Sequence, residues 1–186
     1  MDPRSAALQQ KSESTILFFA PFVSSTMRAE PGWIDYNGHM NMAYFHVLFD
    51  RALEEAWSVI GIGGDYAAER GMSTFAAEAH VVYRREIGLI DPVRVTIQLV
   101  EHDDKRLHVY AEMRHAREGW LAATAETMHL HVDLETRKVI PFPPEVLANL
   151  AAMKAAHGRL PRPAECGRVI GMRAPASAAS RSGRLN

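Results

Sequence analysis

The fold of this chain is decided by residues 33–60, which read WIDYNGHMNMAYFHVLFDRALEEAWSVI. The first nine of these residues place four hydrogen-bonding side chains at alternate positions: Asp35, Asn37, His39 and Asn41. The remainder contains neither proline nor glycine, and its apolar side chains recur at helical spacing on several faces. Residues 42–60 therefore predict a helix that is buried on most sides. Asn41 is suited to cap its N-terminus, and Gly61 to end it.

Four later segments alternate apolar and polar side chains with period two, which is typical of half-buried strands. They span residues 75–83, 93–100, 107–113 and 120–132. In the first three the odd positions are the apolar ones, whereas in the fourth the more apolar set is even: Trp120, Ala122, Met128, Leu130 and Val132. Turn residues fill the short breaks, so we expect consecutive strands to form antiparallel hairpins. A further strand is expected near residues 22–30 and a second helix over 143–158.

Composition narrows the class of protein. With 186 residues we expect one domain over residues 15–158, a flexible N-terminal arm over 1–14 and a loose C-terminal tail over 159–186. The net charge of -1 lacks the excess of positive charge that is typical of nucleic-acid-binding proteins, so we expect no nucleic-acid partner. The single cysteine, Cys166, excludes an internal disulfide and fits a cytoplasmic protein. No apolar run approaches the roughly 20 residues that a membrane helix needs, so we expect no membrane partner.

One long buried helix followed by several antiparallel strands predicts an α+β fold. A twisted antiparallel sheet can curl around such a helix and bury it, with the second helix added after the last strand. This is the arrangement called the hotdog fold.

The segment DYNGHMNMAYF (35–45) resembles the active-site segment of hotdog thioesterases of the 4-hydroxybenzoyl-CoA thioesterase group. YRRE (83–86) is similar to a stretch with a catalytic glutamate in plant acyl-carrier-protein thioesterases, and Glu86 matches that glutamate. Ile87 stands where many of those enzymes have a cysteine, so a cysteine nucleophile is not expected. From about residue 24 to 155 the chain also resembles the betainyl-CoA thioesterases of bacterial carnitine breakdown, notably in WIDYNGHM, EAHVVYRRE, DDKRLHVYAEMRH and ETMHLHVD.

The resemblance implies hydrolysis of a small acyl-CoA, with betainyl-CoA as a candidate, by a homodimer or dimer of dimers that needs no cofactor or metal. Thioester hydrolysis requires an activated water or a carboxylate nucleophile, and donors for the developing oxyanion. The free N–H groups at a helix N-terminus are such donors. We therefore expect Asp35 to be the base or nucleophile, Asn37 and His39 to orient water or the carbonyl, and Glu86 to be a second carboxylate.

A trimethylammonium group has no N–H donors, so aromatic faces and charge must hold it. The candidate substrate-binding residues are Asn41, Trp33, Tyr36, Tyr44, Phe75 and Glu78. Structural roles compete with each of these assignments. Asp35 and Asn37 could be turn residues, His39 a hydrogen-bonded buried histidine and Asn41 a helix cap only, while the aromatic side chains could pack in the core.

Two other functions compete with hydrolysis. Hotdog hydratases and dehydratases share the pattern Asp-x-Asn-Pro-x-His, but this chain has Gly38 and a shorter gap before the histidine. A non-catalytic acyl-CoA-binding protein would usually carry a DNA-binding domain, and no basic helix-turn-helix segment is present. HLH (129–131) places two imidazoles on one strand face without a recognisable third ligand, so we expect no metal there. Candidate contacts to coenzyme A phosphates are Arg84, Arg85, Lys105 and Arg106.

Overall fold

The computed structural model describes residues 18–172, which form one five-stranded sheet and three α-helices. In chain order the elements are β1 (Phe22–Val23), α1 (Met42–Ile60), α2 (Gly64–Arg70), β2 (Met72–Tyr83), β3 (Val93–His102), β4 (Arg106–His115), β5 (Leu121–Asp133) and α3 (Pro144–His157). The predictions of α1 and α3 are confirmed, whereas the short helix α2 was not predicted. The predicted arm over 1–14 lies outside the described residues, as do residues 173–186.

Helix α1 forms the centre of the core because apolar side chains cover several of its faces. Asn41 caps its first turn, with Oδ1 accepting the Ala43 N–H at 3.0 Å, and Gly61 ends it in the left-handed conformation at φ 83°. Eight of its side chains are buried: Phe45, Leu48, Phe49, Ala52, Leu53, Ala56, Trp57 and Ile60. The predicted α+β arrangement, an antiparallel sheet covering one long buried helix, is confirmed. Within residues 18–172, no helix is both long and apolar enough to cross a membrane.

The strand order is β1-β3-β4-β5-β2, and every neighbouring pair is antiparallel. The pairs β3–β4 and β4–β5 are hairpins, as expected. The expected hairpin between β2 and β3 is wrong, because β2 pairs with β5 at the far edge of the sheet. The connection over residues 84–92 is too long for a tight turn, and it buries Ile87 completely in the core. The first strand is also shorter than predicted, with Met27 adding only an isolated bridge to Val93.

The pattern of β5, in which the even positions are the more apolar, predicts the wrong core face from Ala123 onward. The register pairs Ala125 with Ala111 and His129 with Leu107, and these β4 residues are buried against α1. Paired residues point to the same side of a sheet, so the odd positions of β5 face the core from Ala123 onward. A bulge before this point leaves Ala122 buried in the core instead. This face carries buried His129 and His131, and polar side chains at these positions misled the hydrophobic pattern.

A bulge between Ala76 and Glu78 reverses the alternation along β2. Beyond the bulge, Val81 pairs with core-facing Ala125 and is partly buried against the core. Before the bulge, Phe75 pairs with Leu130, whose side chain is on the outer face. The prediction that Phe75 and Val81 share one face is therefore wrong, because one extra residue moves every earlier side chain to the other side.

Residues after α3 cover the outer face of the sheet, in contrast to the prediction of a loose tail from residue 159. The Pro161 carbonyl accepts a hydrogen bond from Gln98 Nε2 at 3.3 Å. The Gly167 N–H donates to both oxygens of Glu126 at 3.0 and 2.7 Å, and Glu165 pairs with Arg84. Polar partners on the sheet thus hold a segment whose composition by itself suggested a disordered chain.

The buried His129 imidazole makes the stability of the fold dependent on pH. Burial lowers its pKa from 6.5 to about 4, so between these values the unfolded chain binds a proton that the folded protein does not. The stability conferred by neutral His129 is complete above pH 6.5 and is lost as the pH falls toward 4. Between pH 7.5 and 5, we expect the free energy of unfolding to fall by about 2 kcal/mol more in the wild type than in His129→Gln.

Urea unfolding at the two pH values measures this difference. Burial also lowers the pKa values of His131 and His157, and this contribution is common to both proteins, so it cancels in the comparison. As a control, His46→Gln removes an exposed histidine of α1 and should retain the wild-type pH dependence. Identical pH dependence in the wild type and His129→Gln would contradict the prediction.

Candidate active site

The loop before α1 is a tight turn with defined hydrogen bonds. The Asp35 N–H donates to the His39 carbonyl at 3.1 Å, and the Gly38 N–H donates to the Asp35 carbonyl at 2.9 Å. Gly38 has φ 83°, in the left-handed region that glycine adopts without strain. The Met40 N–H donates to the Ile87 carbonyl at 2.8 Å, which fixes the loop against the segment after β2. The turn therefore brings residues 35–41 next to residues 84–88.

Asp35, Asn37 and Asn41 come together at the start of α1. Asp35 Oδ1 accepts the Asn37 N–H at 2.8 Å, which is the Asx-turn contact that a purely structural role predicts. Asp35 Oδ2 accepts Asn41 Nδ2–H at 3.3 Å, while the Asn41 Oδ1 caps the helix. One asparagine thus connects the carboxylate to the helix N-terminus. The predicted cap is confirmed, and the same side chain also positions Asp35.

His39 and Glu86 form a second pair. The His39 Nε2 lies 3.6 Å from the Glu86 Oε1, and the Glu86 side chain is 77% exposed. Both residues line a cleft of about 550 Å³ and an adjoining apolar cleft of about 300 Å³. Asp35 is half-buried and is not among the residues that line these two clefts. Within one chain, the predicted catalytic residues therefore form two pairs of contacts, one at the helix cap and one at the cleft.

The larger cleft carries charges of both signs. Arg84 pairs with Glu165, and Arg85 lies 4.3 Å from the centre of the Trp120 ring. Both arginines line the cleft, as predicted for contacts to an anionic substrate, whereas Arg106 pairs with Asp103 at 2.7 Å in the β3–β4 turn. Sequence reasoning missed the other lining residues, which come from distant segments with no shared motif: Gly88, Asp91, Glu118 and Trp120.

The six predicted substrate-binding residues do not form one aromatic box in the single chain. Trp33 stacks on Tyr44 with ring centres 4.9 Å apart, and Arg51 lies 5.0 Å from the centre of the Trp33 ring. Tyr36 is 98% exposed. Phe75 lies on the outer face of β2, where Arg137 approaches its ring at 5.8 Å, and Glu78 shares that face through its pairing with Met128. Asn41 contacts Asp35 instead.

The adjoining apolar cleft offers different aromatic groups. Phe45 of α1 and Tyr83 of β2 meet edge to face with ring centres 5.2 Å apart, and both line this cleft beside Glu86. Burial raises the pKa of the Tyr83 hydroxyl, so the phenol is neutral at physiological pH. Two methionine side chains, Met40 and Met42, complete the apolar lining. The cleft thus combines aromatic and thioether surface with one carboxylate, one imidazole and the guanidinium groups of two arginines.

The imidazoles of the HLH stretch have structural partners. His131 Nε2 lies 2.8 Å from the Tyr66 hydroxyl, and its Nδ1 lies 3.0 Å from the Ile140 carbonyl. His129 Nε2 lies 3.0 Å from the Thr127 hydroxyl. These contacts satisfy buried polar atoms inside the core.

Cys166 lies on the outer face of the sheet and has the properties of a neutral thiol. Burial, together with the adjacent Glu126 carboxylate, raises the pKa of the Cys166 thiol. A raised pKa keeps the sulfur protonated and weakens it as a nucleophile. Ile87, where no cysteine nucleophile was expected, is completely buried.

Comparisons with known proteins identify the family of the chain. Residues 29–150 match the family model of the thioesterase-like superfamily. The chain is 37% identical over 142 residues to a betainyl-CoA thioesterase of Pseudomonas aeruginosa, covering 76% of this chain and 89% of the relative. It is 35% identical over 146 residues to an L-carnitine dehydrogenase/betainyl-CoA thioesterase of Rhizobium meliloti, covering 78% of this chain but only 29% of that longer protein.

The fold is also similar to solved structures. A Staphylococcus aureus protein in complex with CoA superimposes with a TM-score of 0.76 at 23% sequence identity, covering 84% of this chain and 99% of that one. At this identity, the likeness establishes a shared hotdog fold.

Proposed function

The chain belongs to the thioesterase-like superfamily, and on that premise we propose that it hydrolyses a small acyl-CoA to the free acid and coenzyme A. The observation that carries the proposal is the Asp35 carboxylate, which Asn41 holds at 3.3 Å beside the N-terminus of α1. A carboxylate and the partial positive charge of a helix N-terminus are the two groups that thioester hydrolysis needs.

In the proposed reaction, water attacks the thioester carbonyl carbon while its proton passes to the Asp35 carboxylate. Negative charge develops on the carbonyl oxygen, where N–H groups of the first turn of α1, such as that of Met42, stabilise it. Collapse of the intermediate breaks the carbon–sulfur bond, and the coenzyme A thiolate leaves and takes up the proton. Asn37 and Asn41 orient the carboxylate through the hydrogen bonds described above.

His39 and Glu86 are proposed to position the attacking water from the cleft side. Their contact of 3.6 Å and their place at the junction of the two clefts support this role. Arg84 and Arg85 are proposed to meet coenzyme A phosphates, because guanidinium groups bind phosphate oxygens through paired hydrogen bonds. The CoA complex of the staphylococcal structure supports this class of substrate. Catalysis by these residues uses no cofactor, and we place the protein in the cytoplasm, where its single cysteine stays reduced.

The acyl group is proposed to occupy the apolar cleft of about 300 Å³ next to Glu86. Tyr83 and Phe45 present aromatic surface there and Glu86 adds a negative charge, while Arg84 and Arg85 also line the cleft. In this proposal the aromatic surface and Glu86 face a trimethylammonium at the end of a small acyl group, and the two guanidinium groups face coenzyme A phosphates. The similarity to betainyl-CoA thioesterases over 76% of the chain supports betainyl-CoA as the substrate. In this proposal the cation contacts Tyr83 and Glu86, in place of the box of Trp33, Tyr36, Tyr44 and Phe75.

A panel of acyl-CoAs, with free thiol release measured by a thiol reagent, tests the reaction and its substrate. We expect kcat/KM for betainyl-CoA to exceed that for the neutral isostere 3,3-dimethylbutanoyl-CoA by about tenfold or more, since one cation–aromatic contact contributes about 1–2 kcal/mol. Tyr83→Leu removes the aromatic face, so it should lower the ratio of kcat/KM for betainyl-CoA to kcat/KM for the neutral isostere. Phe142→Leu is a matched control, because Phe142 is a buried aromatic residue that does not line the cleft.

The outcomes of this panel are distinct. Preference for long straight chains would reject betainyl-CoA as the substrate and retain thioester hydrolysis. An enoyl-CoA that disappears without thiol release would indicate a hydratase instead. Binding without any turnover would indicate an acyl-CoA-binding protein.

Replacement of Asp35 tests the catalytic assignment. Asp35→Asn keeps the shape of the side chain but removes its capacity to accept a proton, so we expect kcat to fall about 100-fold or more with the thermal unfolding midpoint nearly unchanged. Glu86→Gln should cause a smaller loss, because Glu86 acts through water and His39. The assignment is wrong if Asp35→Asn retains above roughly a tenth of wild-type kcat while Glu86→Gln suffers the 100-fold loss.

The protein is further proposed to be a homodimer, or a dimer of dimers, built on the edge of β2. This strand ends the sheet, and residues 75–79 are exposed within one chain. An edge strand of 12 residues is a template for pairing, and a second copy offers the same edge in antiparallel orientation. The clefts beside Tyr83, the last residue of β2, would then lie close to the interface.

Charge at this edge tests the dimer. Ala79→Asp places one carboxylate from each copy near the shared edge, so we expect it to shift the mass measured by light scattering toward the monomer. Ala151→Asp puts the same charge on an exposed position of α3 and should leave the mass unchanged. A wild-type protein that is a fully active monomer at micromolar concentration would refute the proposal.

A further inference from the structure

Three potential metal ligands from distant parts of the chain meet on the outer face of the sheet. His108 of β4 and Glu126 of β5 are joined there by Cys166 of the C-terminal segment. One ligand atom from each lies within 4.8 Å of the other two. Among residues 18–172, this is the single group in which three or more His, Cys, Asp or Glu side chains approach one another so closely.

The distances within this group approach those of a tetrahedral zinc site. Zinc binds sulfur at about 2.3 Å and nitrogen or oxygen at about 2.0–2.1 Å, so its ligands are separated from one another by about 3.3–3.6 Å. The observed separations are 2.8 Å between His108 Nε2 and Glu126 Oε1, 3.2 Å between Cys166 Sγ and Glu126 Oε1, and 3.9 Å between Cys166 Sγ and His108 Nε2. The observed separations bracket the spacing of zinc ligands, so small side-chain movements would bring all three to coordination distance.

The scaffold holds the three side chains in place. His108 pairs with Met128, and Tyr110 pairs with Glu126, so His108 and Glu126 are diagonal neighbours on adjacent strands. Their side chains are 18% and 15% exposed, which limits competition from bulk water. The Gly167 N–H donates to both Glu126 oxygens at 2.7 and 3.0 Å, an orienting contact of the kind that surrounds protein metal sites.

We propose that His108, Glu126 and Cys166 bind one divalent transition-metal ion of the zinc class, which fastens the C-terminal segment to the outer face of the sheet. A thiolate, an imidazole and a carboxylate together suit zinc or cobalt, whereas magnesium and calcium prefer oxygen ligands alone. Three protein ligands leave a fourth position for water. Binding releases the thiol proton to solvent, because only the thiolate coordinates. The site is on the opposite side of the sheet from α1 and does not depend on the proposed hydrolysis.

The same three residues could instead form a hydrogen-bonded polar cluster without metal. Co²⁺ distinguishes the two cases, because a cobalt–thiolate bond gives a charge-transfer band in the near ultraviolet. Cys166 is the single cysteine of the 186-residue chain, so such a band reports this residue alone.

Full-length protein, freed of metal by a chelator, is titrated with Co²⁺ and then with Zn²⁺. We expect one equivalent of Co²⁺ to develop the thiolate band and Zn²⁺ to displace it. Cys166→Ser should abolish the band, and Glu126→Gln should weaken Zn²⁺ binding at least about tenfold. His102→Gln should change neither the cobalt–thiolate band nor the affinity for Zn²⁺, because His102 lines the same surface groove as His108 but lies outside the cluster.

A second measurement uses only the wild type, so it tests the proposal even if the variants do not fold. One equivalent of Zn²⁺ should slow modification of Cys166 by a thiol reagent about tenfold or more, since a coordinated thiolate is shielded. Absence of the cobalt–thiolate band in the wild type, or modification at the same rate with and without Zn²⁺, would overturn the proposal and leave the hydrogen-bonded cluster.

Discussion

Burial of α1 is the constraint on which the rest of this structure depends. A helix with apolar side chains on several faces cannot remain in water, and it needs more cover than one neighbouring helix provides. The sheet supplies that cover through the odd positions of β3, β4 and β5, and Ile87 of the β2–β3 connection adds to it. The connection that carries Ile87 inward also links β2 at one edge of the sheet to β3 near the other edge.

The candidate site follows from how the N-terminus of this helix is closed. Asn41 satisfies the Ala43 N–H with one atom of its amide and reaches Asp35 with the other. The Met40 N–H bonds to Ile87, so the chain that enters α1 is fixed to the segment that carries Glu86. The two candidate carboxylates thus lie on two segments that are hydrogen-bonded to each other at the start of α1. In the proposed mechanism, a turn with an ordinary Asx geometry therefore also carries the general base.

The two faces of the sheet have separate roles. The inner face buries α1, and the two β5 imidazoles on this face, His129 and His131, are neutral and hydrogen-bonded. The outer face carries polar side chains that hold the C-terminal segment, through Gln98, Glu126 and Arg84. Because Arg84 also lines the larger cleft, the same segment that crosses the outer face contributes Glu165 to the surroundings of the candidate site.

Local information in the sequence determined the long helix, its cap at Asn41, its end at Gly61, α3 and most strand segments, because spacing and capping chemistry act over a few residues. The motif at 35–41 and Glu86 were also evident from the sequence. Only the tertiary structure decided which strands are neighbours, which face of β5 is buried and where the bulge in β2 moves Phe75. These features depend on contacts between residues far apart in the chain. A shift of one residue in the pairing of two strands moves the side chains to the opposite face of the sheet. The contacts of Cys166 have the same origin. Cys166 is 58 residues from His108 and 40 residues from Glu126 in the chain, so no local sequence pattern predicts contacts that form only in the folded sheet.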